Sequence, residues 1–368
     1  MSAGSLLEAR RHELEHCAYC PKLCRFNCPV SEATGREGLT PWGKMSVAFL
    51  AEQGTRPPDP ALGVAAFGCT GCGRCQSFCR DHNDVAGSLV AARGVALQAG
   101  VAPEGVSALL RRFRRDGSPV GEIVPALESL DGELSTPSNV EAFFPGCVGL
   151  VREPYDVRVT QAVGRALGNP LPFAPGVELC CGYPLYAAGD REGFIAQAKR
   201  VATRLAGLGR IVVGDPGCAH TLKQLYPEVG VPLRAEVVPL AVRLAEGLAT
   251  APARPPLPER VTYHDPCHLA RSLGCTEEPR AILRRAVREL REPAHSGAET
   301  VCAGAGGAMA WSMPSESALM ARARAAELAE AGPLVVTACP TAKRSLARGG
   351  AKVRDLAAVL ADWLGISA

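Results

Sequence analysis

Hydrophobic positions along this chain recur with two different periods. Apolar residues three and four apart run through PWGKMSVAFLAEQ (41–53), DVAGSLVAARGVALQAG (84–100), VSALLRRFRR (106–115), GFIAQAKRVATRLAGL (193–208) and SALMARARAAELAEAG (317–332), which predicts a helix in each. Short β-branched runs, RIVVGD (210–215), RVTYHD (260–265) and PLVVTAC (333–339), read as buried strands. Helices stand alone in the N-terminal part and alternate with strands in the C-terminal part. Between the two lies DGSPVGEIVPALESLDGELSTPSN (116–139), whose Gly, Pro and Ser content marks a domain boundary.

The C-terminal part repeats itself. FFPGC, ending at Cys147, answers to HDPC, ending at Cys267, at a step of 120 residues. CCG at Cys180–Gly182 answers to CAG at Cys302–Gly304 at a step of 122, and DPGC at Cys218 to TACP at Cys339 at a step of 121. The proline-rich ATAPARPPLPER (249–260) reads as the linker between the copies. Each copy reads as α/β, with its cysteines at strand ends and helix starts, where backbone N–H groups point outward and suit an anionic group.

Composition narrows the chemistry. With 368 residues, 47% hydrophobic and 21% charged, the chain is an ordinary globular protein with room for several domains. A net charge of +3 without clustering gives no nucleic-acid footprint. Six of the 40 basic residues are Lys, an Arg bias that goes with the Ala, Gly and Pro content. The N-terminus has no secretory apolar core, and no apolar run approaches the ~18 residues of a membrane span. The expected location is therefore the cytoplasm, with peripheral association to the inner face of the membrane as a variant. In that reducing compartment, 16 cysteines point to metal in place of disulfides.

Spacing identifies the metal. CTGCGRCQSFC holds Cys69, Cys72, Cys75 and Cys79 in the C-x2-C-x2-C-x3-C run of a 4Fe–4S site. CAYCPKLCRFNCP holds Cys17, Cys20, Cys24 and Cys28 in the same run with one extra residue in its second gap. Pro29 follows the last cysteine of that run, whereas Arg80 stands where the other proline would be. In two-cluster ferredoxins the fourth cysteine of each run crosses over. The expected ligands are therefore Cys17, Cys20, Cys24 and Cys79 for one 4Fe–4S cluster, and Cys69, Cys72, Cys75 and Cys28 for the other. Zinc normally takes two separated CxxC pairs and fits these runs less well. The 40 residues between Cys28 and Cys69 exceed a minimal ferredoxin and predict a helical dicluster domain.

A dicluster ferredoxin domain followed by two Cys…CCG…Cys repeats resembles the cysteine-rich (CCG) iron–sulfur family. That family includes the heterodisulfide reductase D subunit and the iron–sulfur subunits of glycolate oxidase and anaerobic glycerol-3-phosphate dehydrogenase. The resemblance runs through CAYCPKLCRFNCP, CTGCGRCQSFC, FFPGC, CCGYP, DPGC, HDPCHLAR, CAGAGG and ACP. It implies an α+β multidomain fold: an N-terminal α-helical dicluster ferredoxin domain (1–100), a helical linker (101–139), a first α/β cysteine-rich repeat (140–250) and a second, degenerate one (256–368). The family's full repeat has five cysteines. The first repeat here keeps Cys147, Cys180, Cys181 and Cys218, with Thr221 in the fifth place, as a possible third cluster site. The second keeps Cys267, Cys302 and Cys339, with Ala303 and Ala342 in the other places, as a degenerate site or a scaffold.

Other signals carry less. HELEH (His12–His16) matches a zinc motif formally but reads as a solvated helix face ahead of a cluster ligand. His264 and His268, beside Cys267, and His220, near Cys218, read as polar loop residues, the alternatives being a fourth ligand of a degenerate site or a group that tunes a cluster. Cys275 fits no repeat position and reads as a buried small hydrophobe. GAGG (304–307) is not a dinucleotide fingerprint, no phosphate-binding loop appears, and RRFRR (111–115) reads as a solvated charge run.

With no flavin or nicotinamide signature, the expected function is that of an iron–sulfur electron-transfer subunit. The resemblance implies a flavoprotein dehydrogenase partner, acting on a 2-hydroxy acid such as glycolate or lactate or on glycerol 3-phosphate. A quinone, a membrane cytochrome or another carrier would complete the path. The alternatives are a catalytic disulfide reductase subunit and, less in keeping with the two ferredoxin runs, a metal-stabilised assembly module.

Overall fold

The computed structural model describes residues 3–22, 24–130 and 141–366. The part of the expected domain boundary that falls at 131–139 lies outside the described residues; ahead of it the chain forms a short helix, Val124–Glu128. The chain divides into two compact units. One comprises residues 1–111, 184–194 and 301–324, the other 112–183, 195–300 and 325–368.

The first unit is helical around its cysteine runs. Helices Ala3–Glu8, Arg11–Ala18, Pro41–Glu52, Pro60–Phe67 and Val85–Gln98 pack together over Leu14, Met45, Ala48, Phe67, Leu89 and Ala92. Three of their starts follow from local chemistry. Thr40 accepts from the N–H of Gly43, Asp59 from those of Ala61 and Leu62, and Asp84 from that of Gly87, each satisfying N–H groups that the helix cannot. Pro41 and Pro60 occupy the first turn, where a missing N–H is harmless. Pro29 does the same directly after Cys28.

The second unit holds two parallel sheets. β1 (Glu141–Phe144), β2 (Arg210–Val213) and β3 (Glu236–Pro239) lie in the order β1-β2-β3, and Phe173 bridges to Phe143 on the free side of β1. β4 (Leu257–His264), β5 (Val287–Arg291), β6 (Val335–Thr337) and β7 (Val353–Asp355) lie in the order β5-β4-β6-β7. The two orders match once the bridge at Phe173 is set against β5. Helix Pro154–Ala166 of the first repeat packs on Leu356–Leu364 of the second, and Leu240–Leu248 of the first on Glu277–Ala286 of the second. Equivalent helices thus exchange partners, so the repeats close on one shared core that includes Val163, Leu244, Tyr263, Leu283, Leu360 and Trp363. A single repeat leaves those faces exposed, which is the physical reason the duplication persists even where cysteines are missing.

The linker read over 249–260 ends sooner than the composition implies, since β4 begins at Leu257. Pro258 is tolerated because β4 pairs with β6 only from Thr262 onward, and its pairing with β5 is irregular between Leu257 and Arg260. Among the described residues no helix is long and apolar enough to cross a membrane.

Candidate metal centres

Two groups of four thiols gather in the first unit. Cys17, on helix Arg11–Ala18, has Cys24, Cys20 and Cys79 as its thiol neighbours. Those of Cys24 are Cys20 and Cys79, then Cys28. Cys75, on the short helix Arg74–Ser77, faces Cys69, Cys72 and Cys28. Each run therefore sends its last cysteine toward the other group. Gly71 and Gly73, both near φ +70°, allow the tight winding of CTGCGRC that a side chain would strain.

The donor chemistry fits an iron–sulfur cluster. Burial pushes the Cys17 thiol up to about 12 and that of Cys24 up to about 11, with the neighbouring thiols adding to both. Burial does the same to Cys75, with Cys69 and Cys72 contributing next. Thiols crowded in one buried pocket ionise together only when a cation compensates them, and soft thiolates suit iron in such clusters.

The two groups have different surroundings. Asn83 Nδ2 donates to Cys17 Sγ at 2.9 Å. The ligand atoms of His16, Asp81 and Cys79 lie within 4.8 Å of one another, with His16 Nε2 3.3 Å from Asp81 Oδ2. HELEH thus exposes His12 and Glu15, buries Leu14 in the helical core and places His16 near a cysteine. At the other group, Lys44 Nζ lies 3.3 Å from Cys28 Sγ and donates to the carbonyl of Gly68 at 2.9 Å. Burial raises Cys28, but the Lys44 ammonium and the backbone N–H groups of Ser31 and Val30 outweigh it and hold the thiol below its usual value. Arg93, 2% exposed, donates to the carbonyls of Ala66, Cys69 and Ala187. The GAGG segment packs against the same loop: a Cβ on Gly307 would stand 2.5 Å from the carbonyl oxygen of Cys69. Gly306 and Gly307 thus serve close backbone approach to the cysteine loop, a use that the missing strand–turn–helix context leaves open.

A third group lies in the second unit. Cys147 opens helix Cys147–Arg152 after β1, and Cys218 lies in helix Pro216–His220 after β2. The Cys147 and Cys180 sulfurs are 3.6 Å apart. Cys181 is held well below the usual thiol value by bonds from Cys180 and Cys218, with the Tyr183 N–H and the Thr221 side chain assisting against burial. Cys180 is pushed up through its bonds to Cys147 and Cys181, and Cys218 through its bond to Cys181. Thr221, in the fifth place, thus lies against the cysteine it would have joined, while its hydroxyl donates to the Gly217 carbonyl at 2.7 Å. Buried Asp215 accepts from the N–H groups of Gly217 (2.7 Å) and Cys218 (3.3 Å) and from Thr341. Burial, then Cys181, raises its carboxyl to about 6.

The cysteines of the second repeat are distributed differently. Cys302 belongs to the first unit and accepts from the N–H of Gly304 at 3.4 Å, whereas Cys267 and Cys339 belong to the second. Cys339 caps helix Pro340–Arg348, accepting from the N–H of Ala342 at 3.4 Å, and burial followed by Asp215 raises it. Buried Ala303 and Ala342 hold the remaining places. Cys275 is 3% exposed within the shared core, as a small hydrophobe would be.

Sequence reasoning missed Lys44, Asn83, Arg93 and Asp215, and it left the histidines unresolved. The His220 and His268 rings lie 4.7 Å apart, with Tyr183 edge-on to His268 at 5.5 Å. Burial lowers His220, whose Nδ1 lies 2.7 Å from Gln224 Oε1. His264 is buried at the end of β4. One signal for Lys44 was available: a lysine inside an apolar helix, in a chain where six of the 40 basic residues are Lys.

Comparison with known proteins matches the stretches of chain that carry these cysteines. The Cysteine-rich domain family matches residues 141–223 and 261–346, and the 4Fe-4S dicluster domain family matches 13–83. The B subunit of the fumarate reductase (CoM/CoB) of Methanothermobacter marburgensis is 28% identical over 339 residues, covering 89% of this chain and 66% of that one. The chain thus spans just under two thirds of that relative's length. The D subunit of the dihydromethanophenazine:CoB–CoM heterodisulfide reductase of Methanosarcina barkeri is 25% identical over 395 residues, covering 96% of this chain and 95% of that one. The EtfAB:quinone oxidoreductase of Syntrophomonas wolfei is 28% identical over 241 residues, covering 59% of this chain and 33% of that one. With both cysteine-rich repeats and the dicluster domain matched in order, this chain belongs to the iron–sulfur proteins that join a 4Fe–4S dicluster domain to a duplicated cysteine-rich domain.

Proposed function

We propose that the chain is the iron–sulfur electron-transfer subunit of an oxidoreductase complex. The gathering of eight cysteines into two four-thiol groups within one unit carries this reading. Cys17, Cys20, Cys24 and Cys79 would hold one 4Fe–4S cluster, and Cys69, Cys72, Cys75 and Cys28 the other. When bound, such clusters take up and release single electrons. The protein's part is to fix them and their surroundings: Asn83 donates to a sulfur of one group, Lys44 lies against a sulfur of the other, and Arg93 ties down the Cys69 loop.

In this reading a flavoprotein dehydrogenase supplies electrons from a 2-hydroxy acid or glycerol 3-phosphate, and a quinone-reactive or cytochrome subunit removes them. A cytoplasmic location, with docking at the inner membrane face, goes with it. Oxidation at carbon removes two electrons and a proton and normally calls for a hydride acceptor. Purified alone, the protein is expected to be brown and to accept electrons from dithionite without oxidising any 2-hydroxy acid. Turnover is expected only with a flavoprotein added; bound flavin in the isolated chain, or turnover without a partner, defeats the reading.

A catalytic disulfide reductase is the second reading, favoured by the four-thiol group of the first repeat and by the near full-length similarity to a heterodisulfide reductase subunit. Cys147, Cys180, Cys181 and Cys218 would hold the cluster concerned. Cys181→Ala is expected to remove iron that Cys302→Ala leaves in place or removes only in part. Iron analysis of both variants decides this, and equal losses, or none, would remove the distinction between the repeats.

A further inference from the structure

The cavity beside Asp355, the half-buried Lys343–Glu153–Asp156 group and the His220–His268–Tyr183 stack all lie in the second unit. The observation that reaches furthest is in the first. Lys44 is 1% exposed, and its ammonium is spent on Cys28 Sγ and on the carbonyl of Gly68, the residue directly before Cys69. Burial works against the ammonium, and the groups that offset this are three thiols: Cys28, Cys69 and Cys75. All three belong to one four-thiol group. Arg74, also buried, lies between Cys72 and Cys75 in the chain, and Arg93 bonds the Cys69 carbonyl. The other group receives a neutral amide from Asn83 and has the His16–Asp81 pair beside Cys79. Two sites of the same donor chemistry thus stand in unequal fields, with a buried ammonium against a sulfur of one and only a neutral amide against a sulfur of the other.

We propose that Lys44 sets the reduction potential of the cluster held by Cys28, Cys69, Cys72 and Cys75 above that of its neighbour, making it the electron sink of the pair. The inference rests on the two-cluster reading above. One-electron reduction of a cluster adds one negative charge and makes or breaks no bond. A fixed ammonium at hydrogen-bonding distance from a ligand sulfur therefore stabilises the reduced state selectively, and burial leaves that interaction poorly screened. Hydrogen bonds and net charge at the sulfurs are among the factors that set such potentials. Lys44 is a tuning residue: it touches a ligand and takes no electron.

The test is an EPR-monitored redox titration of the full chain, anaerobically prepared, with Lys44→Met, Lys44→Gln and Lys44→Arg variants. In the wild type the two clusters of the dicluster domain are expected to titrate in two separate one-electron steps, told from any signal of the cysteine-rich repeats by their loss in Cys79→Ala and Cys28→Ala. In the Met and Gln variants the upper step should fall by at least tenfold in its equilibrium constant, about 59 mV, with the lower step unmoved. The Arg variant should stay near wild type, which a purely packing role would not produce. Unshifted potentials in both neutral variants at full iron content overturn the proposal. So does iron loss confined to those variants, which would make Lys44 an assembly residue. A wild-type chain without a second four-iron centre overturns the cluster reading itself, and iron content of the wild type tells that failure from the others.

Discussion

Cys79→Ala protein, prepared anaerobically, is expected to lose the spectroscopic signature of the cluster at Cys17, Cys20 and Cys24, and to keep the one at Cys69, Cys72 and Cys75. Iron in the dicluster domain should fall from about eight atoms toward four. Cys79 follows Cys75 by four positions, yet its thiol neighbours Cys17 and Cys24 belong to the other run. Cys28, conversely, lies with Cys75 and bonds Lys44, so Cys28→Ala should produce the mirror result. Cysteine removed from a four-thiol site leaves one iron without its thiolate, and the large loss follows from that. If Cys79→Ala instead abolishes the cluster of Cys69, Cys72 and Cys75, the ligands do not cross and the assignment falls.

The largest effect on folding is expected at Arg280. Its guanidinium donates to Asp265 through two bonds of 2.7 and 2.8 Å and to Glu292 through two more of 2.8 and 2.7 Å. Side-chain exposure is 6% for Arg280 and 1% for Asp265. Arg280→Ala strands a buried carboxylate, which costs about 3–5 kcal/mol, against the ~5–15 kcal/mol that typically holds a domain together. The consequence reaches a cysteine segment, because Asp265 also accepts from the N–H of Gly297 and, through its carbonyl, from Thr300, two residues ahead of Cys302. Urea denaturation of wild type, Arg280→Ala and the double variant Arg280→Met/Asp265→Leu measures this. The double variant should recover much of the loss, since no buried charge is left unpaired: Glu292, which also loses Arg280, is 39% exposed and solvated. A loss under ~1 kcal/mol for the single variant would mean that water already reaches the pair.

The main elements were legible because they depend on local pattern. The runs at 41–53, 84–100 and 193–208 carry helices at Pro41–Glu52, Val85–Gln98 and Arg191–Leu205. At the starts of the first two, Thr40 and Asp84 cap N–H groups three residues on, and Pro41 fits the first turn, where no N–H is needed. Duplication was legible from spacing alone, as the matching strand orders bear out. The start of β4 at Leu257 was not, because proline content argues for a linker and only the one-sided pairing of that stretch makes Pro258 acceptable.

By itself the sequence determined the chemistry: which residues are thiols, at what intervals, in what order, and therefore that iron–sulfur centres are the economical reading. Ligand spacing is a property of short stretches of chain and survives without knowledge of the fold. Only the tertiary structure decided what surrounds the sulfurs. Lys44 lies 16 residues from Cys28 and Asn83 lies 66 from Cys17, and Arg93 reaches the Cys69 and Ala187 carbonyls, 24 and 94 residues away. Electrostatic environment depends on distance in space and on exclusion of water, and neither can be read from distance along the chain.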